Sequence, residues 1–462
     1  MKFPGLLFIS IILILFSCRK DSFITSADAT LSISADTLKF DTVFTTTGSI
    51  TQAFKIINTN NRNLRLSSIK LSGGAPSSYK INADGFAGPE INNIELDAND
   101  STYIFVNVTI DPSANNLPFI VRDSIQISFN GNNRMVQLEA WGQNAHFFRN
   151  KIVSADETWI NDLPYVILGP MKIDAGKKLT IQKGCKIYVH ADAPIIVDGT
   201  LEVNGEKDSS DRVYFKGDRL DAPYSDFPAA WPGIFFRNTS IDNVLNYTVI
   251  RNAYQAIALQ DPASNSNPKL TLNQCIIDNA YDAGIIAVNS SVSATNCLIS
   301  NCGKNLLLVQ GGNYQFNHCT SVSYSNSFIL HKDPVLLLSN FISINNVPVT
   351  ADLNAVFRNC IFWGENGIVD DEVVVAKSGN TVFNVNFDHS LWKVVNNPSN
   401  VTTSQLINNQ PPLFDSINTS KRFYSFRLKD GSPAVNAGIN SPPSIDLDGR
   451  PRPVGLPDLG CF

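Results

Sequence analysis

The sequence predicts an all-β protein in which a β-sandwich is followed by stacked coils of short strands. Charged residues make up only 17% of the chain, while Asn, Ser, Thr and β-branched residues are plentiful, a composition that favours strands and turns. Cys275, Cys297 and Cys319 follow one another at equal intervals. A period of about twenty residues without heptads is typical of a solenoid.

Length and charge limit the domain organisation and the partners that the sequence allows. A chain of 462 residues exceeds one ordinary hydrophobic core, so two domains or a solenoid are expected. The net charge is −5, and no cluster of Lys and Arg could follow a phosphate backbone. Nucleic acid is therefore not expected as a partner.

Residues 1–18 are predicted to be a signal peptide. Met1 and Lys2 precede an apolar run over residues 6–16 that is short for a membrane span. The run ends in Leu-Phe-Ser-Cys18, which resembles the bacterial lipobox, where the cysteine becomes the lipid-modified first residue. The resemblance implies attachment to the outer membrane of the cell envelope through Cys18, on either its periplasmic or its surface face. An ordinary secretion signal is the alternative.

After a linker at residues 19–27, residues 28–145 are predicted to form the sandwich. Ile104, Val106 and Val108 alternate with polar neighbours, as in half-buried strands, and Asn130-Gly131 marks a hairpin turn. The segments at 41–44, 54–58, 71–74 and 140–143 resemble immunoglobulin-like domains of the DUF1573 and abnormal-spindle-like type. That resemblance implies a spacer or adhesive module.

Residues 146–425 are predicted to form the stacked coils. Leu179 and Leu201 are separated by the same interval as the cysteines, and so are Ile181 and Val203. Glycines mark the bends between short strands. The segments Leu-Thr-Ile-x-x-Gly from Leu179 and Asp-Gly-Thr-Leu-x-Val-x-Gly at 198–205 resemble the right-handed parallel β-helix repeat family, of the pectate-lyase-like superfamily. Residues 426–462, with Gly-Ser-Pro-Ala-Val-Asn-Ala-Gly at 431–438, resemble the closing segment of such proteins.

A recurring Asn and Cys pattern predicts a structural ladder. Cys360 follows Cys319 after an interval close to two repeats, and residues 339–342 are expected to supply the missing step. The asparagines are expected to stack amide on amide at a left-handed bend, and the cysteines to be buried thiols. The ladder residues are Asn246, Asn273, Cys275, Asn296, Cys297, Asn317, Cys319, Asn359 and Cys360. No metal is expected, because stacked positions form a line rather than a tetrahedron.

Candidate catalytic residues are few. Asp370 and Asp371 open an acidic run that resembles the paired aspartates of polygalacturonases, although that family's Gly-His-Gly and Arg-x-Lys segments are absent. His331 and Lys332 could supply a base. The alternative is that both segments are solvated loops. No cofactor is expected; Asp446-Leu-Asp-Gly449 looks like a fragment of a Ca²⁺ loop but is expected to be a turn.

A second candidate surface is a long loop between two coils at residues 218–231, called the excursion below. Tyr224, Asp226, Phe227 and Trp231 bring aromatic rings and a carboxylate together. Sugars pack their apolar faces on such rings and hydrogen-bond to carboxylates, so glycan contact is a hypothesis. The alternative is that Phe227 and Trp231 cover the end of a coil.

These observations favour a lipid-anchored envelope protein with a structural or binding role, which presents its coils to a polysaccharide or a surface protein. The competing class is a polysaccharide lyase or a glycoside hydrolase that acts on an acidic polysaccharide. Such enzymes need a base beside cation ligands, or two carboxyls across a groove. Because the recurring positions carry Asn, Ser, Thr and Cys, we expect no depolymerisation of uronate polymers.

Overall fold

The structure is a computed structural model that describes residues 22–45, 48–111, 119–452 and 456–462. Cys18 and the predicted signal peptide lie outside the described residues. The chain divides into two compact units, Met1–Asn144 and Ala145–Phe462. The predicted all-β class is confirmed, since the described part of the chain contains strands and one 3-10 turn, Tyr224–Asp226.

The first unit consists of two five-stranded sheets that share one hydrophobic core. Its strands are β1 (Leu31–Ile33), β2 (Thr37–Phe44), β3 (Gln52–Asn58), β4 (Leu64–Leu71), β5 (Tyr79–Ala83), β6 (Phe86–Gly88), β7 (Glu90–Leu96), β8 (Ser101–Val108), β9 (Phe119–Phe129) and β10 (Asn132–Gln143).

The strand order is β1-β3-β8-β5-β6 in one sheet and β2-β10-β9-β4-β7 in the other. Ile104, Val106 and Val108 are fully buried, as their alternation with polar residues predicts. The turn between β9 and β10 falls at Asn130 and Gly131, both of which have positive φ angles. Such a turn matches the twist of the strands that flank it.

The second unit is dominated by two parallel sheets of 11 and 17 strands. The eleven-stranded sheet contains β11 (His146–Arg149), β14 (Tyr165–Leu168), β17 (Lys186–Val189), β20 (Val213–Gly217), β23 (Thr248–Arg251), β26 (Ile276–Asp278), β28 (Leu298–Ser300), β30 (Thr320–Tyr324), β35 (Ile361–Glu365), β38 (Leu391–Trp392) and β40 (Ile407–Asn408).

The seventeen-stranded sheet contains β12 (Ile152–Val153), β13 (Glu157–Trp159), β15 (Met171–Ile173), β16 (Lys178–Gln182), β18 (Ile195–Val197), β19 (Thr200–Asn204), β21 (Ile234–Phe236), β22 (Asn243–Asn246), β24 (Gln255–Gln260), β25 (Leu270–Asn273), β27 (Ala283–Thr295), β29 (Lys304–Asn317), β31 (Leu336–Ser339), β34 (Leu353–Arg358), β36 (Val373–Ala376), β37 (Phe383–Asp388) and β39 (Thr402–Ser404). Two antiparallel hairpins complete the unit: β32 (Phe341–Ile344) with β33 (Val347–Thr350), and β41 (Phe414–Asn418) with β42 (Phe423–Leu428).

Successive repeats pair side by side in parallel register. Leu179 lies opposite Leu201, and Ile181 lies opposite Val203, as their constant spacing predicts. The seventeen-stranded sheet contains two rows of strands. Each repeat contributes one strand to the eleven-stranded sheet and one to each of these rows, and the long strands β27 and β29 belong to both rows. The apolar side chains turned inward form one continuous core.

The prediction that residues 339–342 supply an additional repeat between Cys319 and Cys360 is wrong. Thr320 pairs directly with Ile361, so the whole interval forms a single long repeat. Residues 339–342 lead instead into the β32–β33 hairpin. A loop and a hairpin inserted into one repeat leave the strand register intact, and spacing alone cannot distinguish such an insertion from a second repeat.

The C-terminal residues, predicted to close the coils, lie along the outer side of the eleven-stranded sheet. A hydrophobic cluster there joins Leu298, Ile361 and Leu391 of the sheet to Leu447 and Cys461. No helix within the described ranges is both long enough and apolar enough to span a membrane.

Candidate functional site

The four ladder cysteines lie in the core of the second unit. Cys275, Cys297, Cys319 and Cys360 are buried free thiols, and the Sγ of Cys297 donates a hydrogen bond to the Leu272 carbonyl at 3.6 Å. Burial raises the pKa of the Cys297 thiol well above its usual value. Thiolate chemistry is therefore disfavoured at this position, and its role is packing.

The five ladder asparagines do not form one ladder, which corrects the sequence prediction. Asn246 and Asn273 are paired strand residues, and Asn273 Nδ2 donates to Asn246 Oδ1 at 2.9 Å. Asn317 occupies the same strand position further along. Asn296 and Asn359 sit one position later, at the bend, and have positive φ angles. The difference is present in the sequence, because Asn273 and Asn317 stand two residues before a ladder cysteine, and Asn296 and Asn359 one residue before.

The amides of the later asparagines bind the C-terminal segment. Asn296 Nδ2 donates to the Ile445 carbonyl at 2.6 Å, Asn317 Nδ2 to the Pro442 carbonyl at 2.6 Å, and Asn359 Nδ2 to the Ile439 carbonyl at 2.9 Å. These residues therefore hold the C-terminal chain against the eleven-stranded sheet.

The candidate catalytic residues have separate surroundings in the structure. His331 is buried and its Nε2 lies 2.8 Å from Oε1 of Glu372, which is fully buried. Lys332 and Asp370 are exposed. Asp371 accepts hydrogen bonds from the backbone amides of residues 395 and 396, which lower the pKa of its carboxyl. His331 thus anchors a loop, and Asp371 closes a turn.

Trp231 cannot be a surface contact for a glycan, which corrects that part of the hypothesis. Its side chain is 1% exposed, stacks near Phe215, and donates from Nε1 to the Arg251 carbonyl at 2.9 Å. The large apolar indole is more stable inside the core than on the excursion where the sequence placed it.

Of the other three residues of the excursion, Asp226 lines an open cleft. Tyr224 is 44% exposed, and Phe227 packs between Tyr224 and Phe328, with ring centroids 5.1 Å and 4.9 Å apart. Asp226 accepts a hydrogen bond from Arg422 of the C-terminal hairpin at 3.1 Å. The excursion and the hairpin therefore meet at the mouth of this cleft.

This basic cleft has a volume of about 650 Å³, within the range of small-ligand sites. It lies on the outer side of the eleven-stranded sheet, between the excursion and the β41–β42 hairpin. Its lining residues include Ser209, Arg212, Tyr214, Lys216, Ser225, Asp226, Val249, Arg251, Asn252, Ile276, Asp278, Asn279, Leu298, Ser300, Asn301, Asn326, Lys421, Arg422, Phe423, Tyr424, Phe426, Arg427, Asp448 and Phe462.

Two rows of side chains form the floor of the basic cleft. Tyr214, Val249, Ile276 and Leu298 are paired in register and make an apolar row. Arg251, Asp278 and Ser300, two residues further along their strands, make a polar row. Neighbouring positions in each row are about 4.8 Å apart because the strands are hydrogen-bonded neighbours. The floor is thus a regular amphipathic track.

The carboxylates that line the basic cleft are already paired with arginines. Arg251 lies 3.4 Å from Asp278, Arg427 pairs with Asp448, and Arg422 pairs with Asp226.

Three cations are left over. Within the described residues, Arg212 donates only to carbonyl oxygens, and Lys216 and Lys421 form no ion pair. Burial lowers the pKa of the Lys216 ammonium, while the charge of Asp226 opposes that shift. The cleft therefore carries uncompensated positive charge on a protein whose net charge is negative.

An asparagine ladder that the sequence pattern did not single out forms one wall. Asn252, Asn279 and Asn301 follow three strands of the eleven-stranded sheet, and all three have positive φ angles. Asn279 Nδ2 donates to Asn252 Oδ1 at 2.8 Å. The signal is present in the sequence as a repeated Ile-x-Asn, at 250–252, 277–279 and 299–301.

No group of His, Cys, Asp and Glu side chains suited to a metal is found in the described part of the chain. Asp446, the first residue of the Ca²⁺-like fragment, accepts hydrogen bonds at Oδ1 from the backbone amides of Asp448 and Arg450. Its carboxylate thus closes a turn.

No family model and no curated protein matches the chain. Among solved structures it is similar to a family 123 glycoside hydrolase from Clostridium perfringens, at 12% identity over 29% of this chain and 30% of that one, with a TM-score of 0.19. It is also similar to PapD-like domain 7 of human CEP192, at 8% identity over 28% of this chain and 92% of that one, with a TM-score of 0.17.

A third similar structure is the Salmonella enterica SafA pilin in complex with the SafB chaperone, at 10% identity over 26% of this chain and 57% of that one, with a TM-score of 0.18. The chain spans less than a third of the glycoside hydrolase. Likenesses at these TM-scores carry no argument about function.

Proposed function

We propose that the protein is a lipid-anchored component of a bacterial cell envelope that binds an acidic glycan in the basic cleft. The observation that carries the proposal is the charge of the cleft. Its three carboxylates are paired with three arginines, while Arg212, Lys216 and Lys421 remain without a carboxylate partner in the described structure. Cations gathered in a concave site attract an anionic ligand.

The shape and lining of the cleft suit a sugar chain. Tyr214 lies on the floor, and Phe423 and Phe462 contribute to the walls. Aromatic rings pack against the apolar faces of sugars, and the polar row offers hydrogen-bonding groups at regular spacing along the sheet. An extended oligosaccharide can lie along this track and meet similar groups at successive repeats.

Binding without hydrolysis fits the state of the carboxylates. A glycoside hydrolase needs two carboxyl groups facing one bond, one of them free to donate a proton. In the described structure Asp226, Asp278 and Asp448 each form an ion pair with an arginine instead.

A polysaccharide lyase is the second candidate function, and Lys216 is the observation that favours it. Lys216 lies in the basic cleft, and burial lowers the pKa of its ammonium, the direction that a general base requires. Release of an unsaturated uronide from a uronate polymer, abolished in Lys216→Met, would establish this function in place of simple binding.

The finer fold assignments belong to the same proposal. We infer that the second unit is a right-handed parallel β-helix of the pectate-lyase-like type and that the first unit is an immunoglobulin-like sandwich of the DUF1573 type. The in-register pairing of successive repeats supports the former, and two five-stranded sheets around one core support the latter. In this proposal a lipid on Cys18 holds the protein at the outer membrane.

The test is calorimetric titration of the intact protein with oligogalacturonate, oligomannuronate and a neutral cello-oligosaccharide. We expect the acidic chains to bind, with affinity that falls as salt rises, and the neutral chain not to bind. Lys216→Gln and Lys421→Gln should each weaken binding about tenfold, the effect of one charge contact. Lys377→Gln, an exposed lysine outside the cleft, is the control. Equal binding of acidic and neutral chains would refute the proposal.

A further inference from the structure

Asn301 in the basic cleft has a buried amide donor that finds no acceptor among the described residues. Its side chain is 2% exposed. The Oδ1 atom accepts a hydrogen bond from the backbone N–H of Tyr324 at 3.1 Å. The Nδ2 atom is buried and has no hydrogen-bond partner within the described residues. Buried amide groups are almost always paired, so an orphaned one requires an explanation.

The orientation of the amide follows from its neighbours. If the side-chain oxygen and nitrogen were exchanged, the N–H of Tyr324 would face another N–H group instead of an acceptor. The bond from Tyr324 therefore keeps Oδ1 on one side and directs Nδ2 away from it.

The fold does not need this donor for the asparagine ladder. Asn279 Nδ2 donates two hydrogen bonds, to Asn252 Oδ1 at 2.8 Å and to the Asp226 carbonyl at 3.0 Å. Asn301 occupies the next repeat, and the chain of amide bonds stops there. The left-handed backbone of Asn301 explains an asparagine at this position, but it does not explain a side-chain nitrogen left without an acceptor.

We propose that Asn301 is a specificity-determining residue whose Nδ2 donates to an oxygen atom of the acidic glycan. This inference rests on the function proposed above and adds to it the requirement that the ligand present an acceptor oxygen at this point of the cleft. Sites that use a buried donor reject analogues without the matching acceptor, because the donor then stays unpaired. The uncompensated lysines select for charge, and Asn301 selects for the position of an oxygen.

One wall of the cleft must shift to admit that oxygen, because Nδ2 is shielded from water. Tyr424 and Phe426 line the same cleft and belong to β42. The β41–β42 hairpin pairs with no other strand of the described structure, and Phe414 and Phe426 pack it into the hydrophobic cluster on the eleven-stranded sheet. The Tyr424 hydroxyl is also buried without a well-formed hydrogen bond in the described structure. In this proposal the hairpin is the wall that shifts, because side-chain packing and not strand pairing holds it to the rest of the unit.

The test compares wild type with Asn301→Asp and Asn301→Gly. Aspartate keeps the oxygen that binds the Tyr324 amide but replaces the donor with an acceptor, and glycine tolerates the positive φ angle of 52°. The control is Asn354→Asp, the same substitution on an exposed part of the seventeen-stranded sheet, where Asn354 Nδ2 donates to Asn313 Oδ1 at 3.1 Å. Binding of trigalacturonate and trimannuronate is measured by calorimetry, and thermal unfolding verifies the fold.

We expect the Kd to rise at least tenfold in both Asn301 variants and to stay within twofold in Asn354→Asp. In wild type, the NMR signals of the Asn301 side-chain amide should shift on titration. If wild type binds but the Asn301 variants bind equally well, or if those signals do not move, the inference is overturned while the proposed function stands. If wild type binds neither oligosaccharide, both are overturned.

Discussion

The imidazole of His331 lies with its Nε2 atom 2.8 Å from Oε1 of Glu372, and both side chains are sealed from solvent. The two residues come from adjacent repeats, since β31 follows His331, β36 follows Glu372, and Leu336 pairs with Val373. Glu372 Oε2 also accepts from the Val335 amide at 3.4 Å. The pair therefore ties the long inserted loop to the neighbouring repeat.

Replacement of Glu372 by leucine should lower the free energy of unfolding by about 3 kcal/mol, because a buried polar partner is left unpaired. The exposed Asp370→Ala is the control and should change it by less than about 0.5 kcal/mol. Urea denaturation measures both. Equal effects of the two substitutions would contradict a structural role for the pair.

Acid should destabilise the protein through His318. Burial, followed by the charge of Arg452, lowers the pKa of His318 from 6.5 to about 3. The unfolded chain then binds the proton more readily between these values, so stability is lost as pH falls below about 6.5. We expect about 2 to 3 kcal/mol of loss between pH 6.5 and pH 4 from this group.

His318→Asn removes the titrating group and suits the positive φ angle, since Asn296 and Asn359 occupy the same bend in other repeats. Denaturation curves at several pH values should show a shallower acid slope for this variant. An unchanged slope would rule out His318 as the source.

Lys269 should make the stability of the protein depend on pH in the alkaline range. Its fully buried ammonium donates to the carbonyls of Arg237, Asn238 and Gln260 at 2.6 to 3.1 Å. Burial nevertheless lowers its pKa from 10.5 to about 8. The unfolded chain binds more protons between these values, so the contribution of Lys269 to stability should rise as pH increases from 8 to 10.5.

Lys269→Met should abolish that rise and should also cost stability at pH 7, because three carbonyls lose their donor. Unfolding monitored from pH 7 to pH 10 tests both expectations. A parallel pH dependence in wild type and variant would contradict the assignment.

The ladder cysteines should resist alkylation in the folded protein. Cys297→Asp should cost more than about 3 kcal/mol, because an unpaired carboxyl replaces a thiol inside the core. Cys297→Ala, the matched control, should cost about 1–2 kcal/mol from the smaller volume. Mass spectrometry after native labelling should find these thiols unmodified; rapid labelling without denaturant would contradict the burial.

Cys18 should carry a lipid, because an apolar run ends there behind a small residue. Mass spectrometry of the membrane fraction is expected to find the acylated cysteine as the first residue of the mature chain. Cys18→Ser should release the protein from that fraction. A mature protein that begins elsewhere would defeat this prediction.

The sequence is sufficient for the all-β class and for the pairing of repeats such as Leu179 with Leu201. Both depend on local periodicity and on a fixed spacing, which parallel strands translate directly into register. It also places Cys275 and Cys297 at one recurring position, because both repeats have the same length. An insertion changes the length of a repeat, so spacing alone wrongly predicts two repeats between Cys319 and Cys360, where the structure has one.

The basic cleft could be located only in the tertiary structure. Arg212 and Arg422 are far apart in the sequence, and they reach one cleft because the C-terminal segment returns across the outer side of the eleven-stranded sheet. That return is held by hydrogen bonds such as Asn296 to Ile445, which no spacing rule anticipates. Likewise, the sequence presents Trp231 as a surface aromatic and Asn301 as an ordinary polar residue. Burial and the lack of a partner are properties of packing, so only the folded chain decides them.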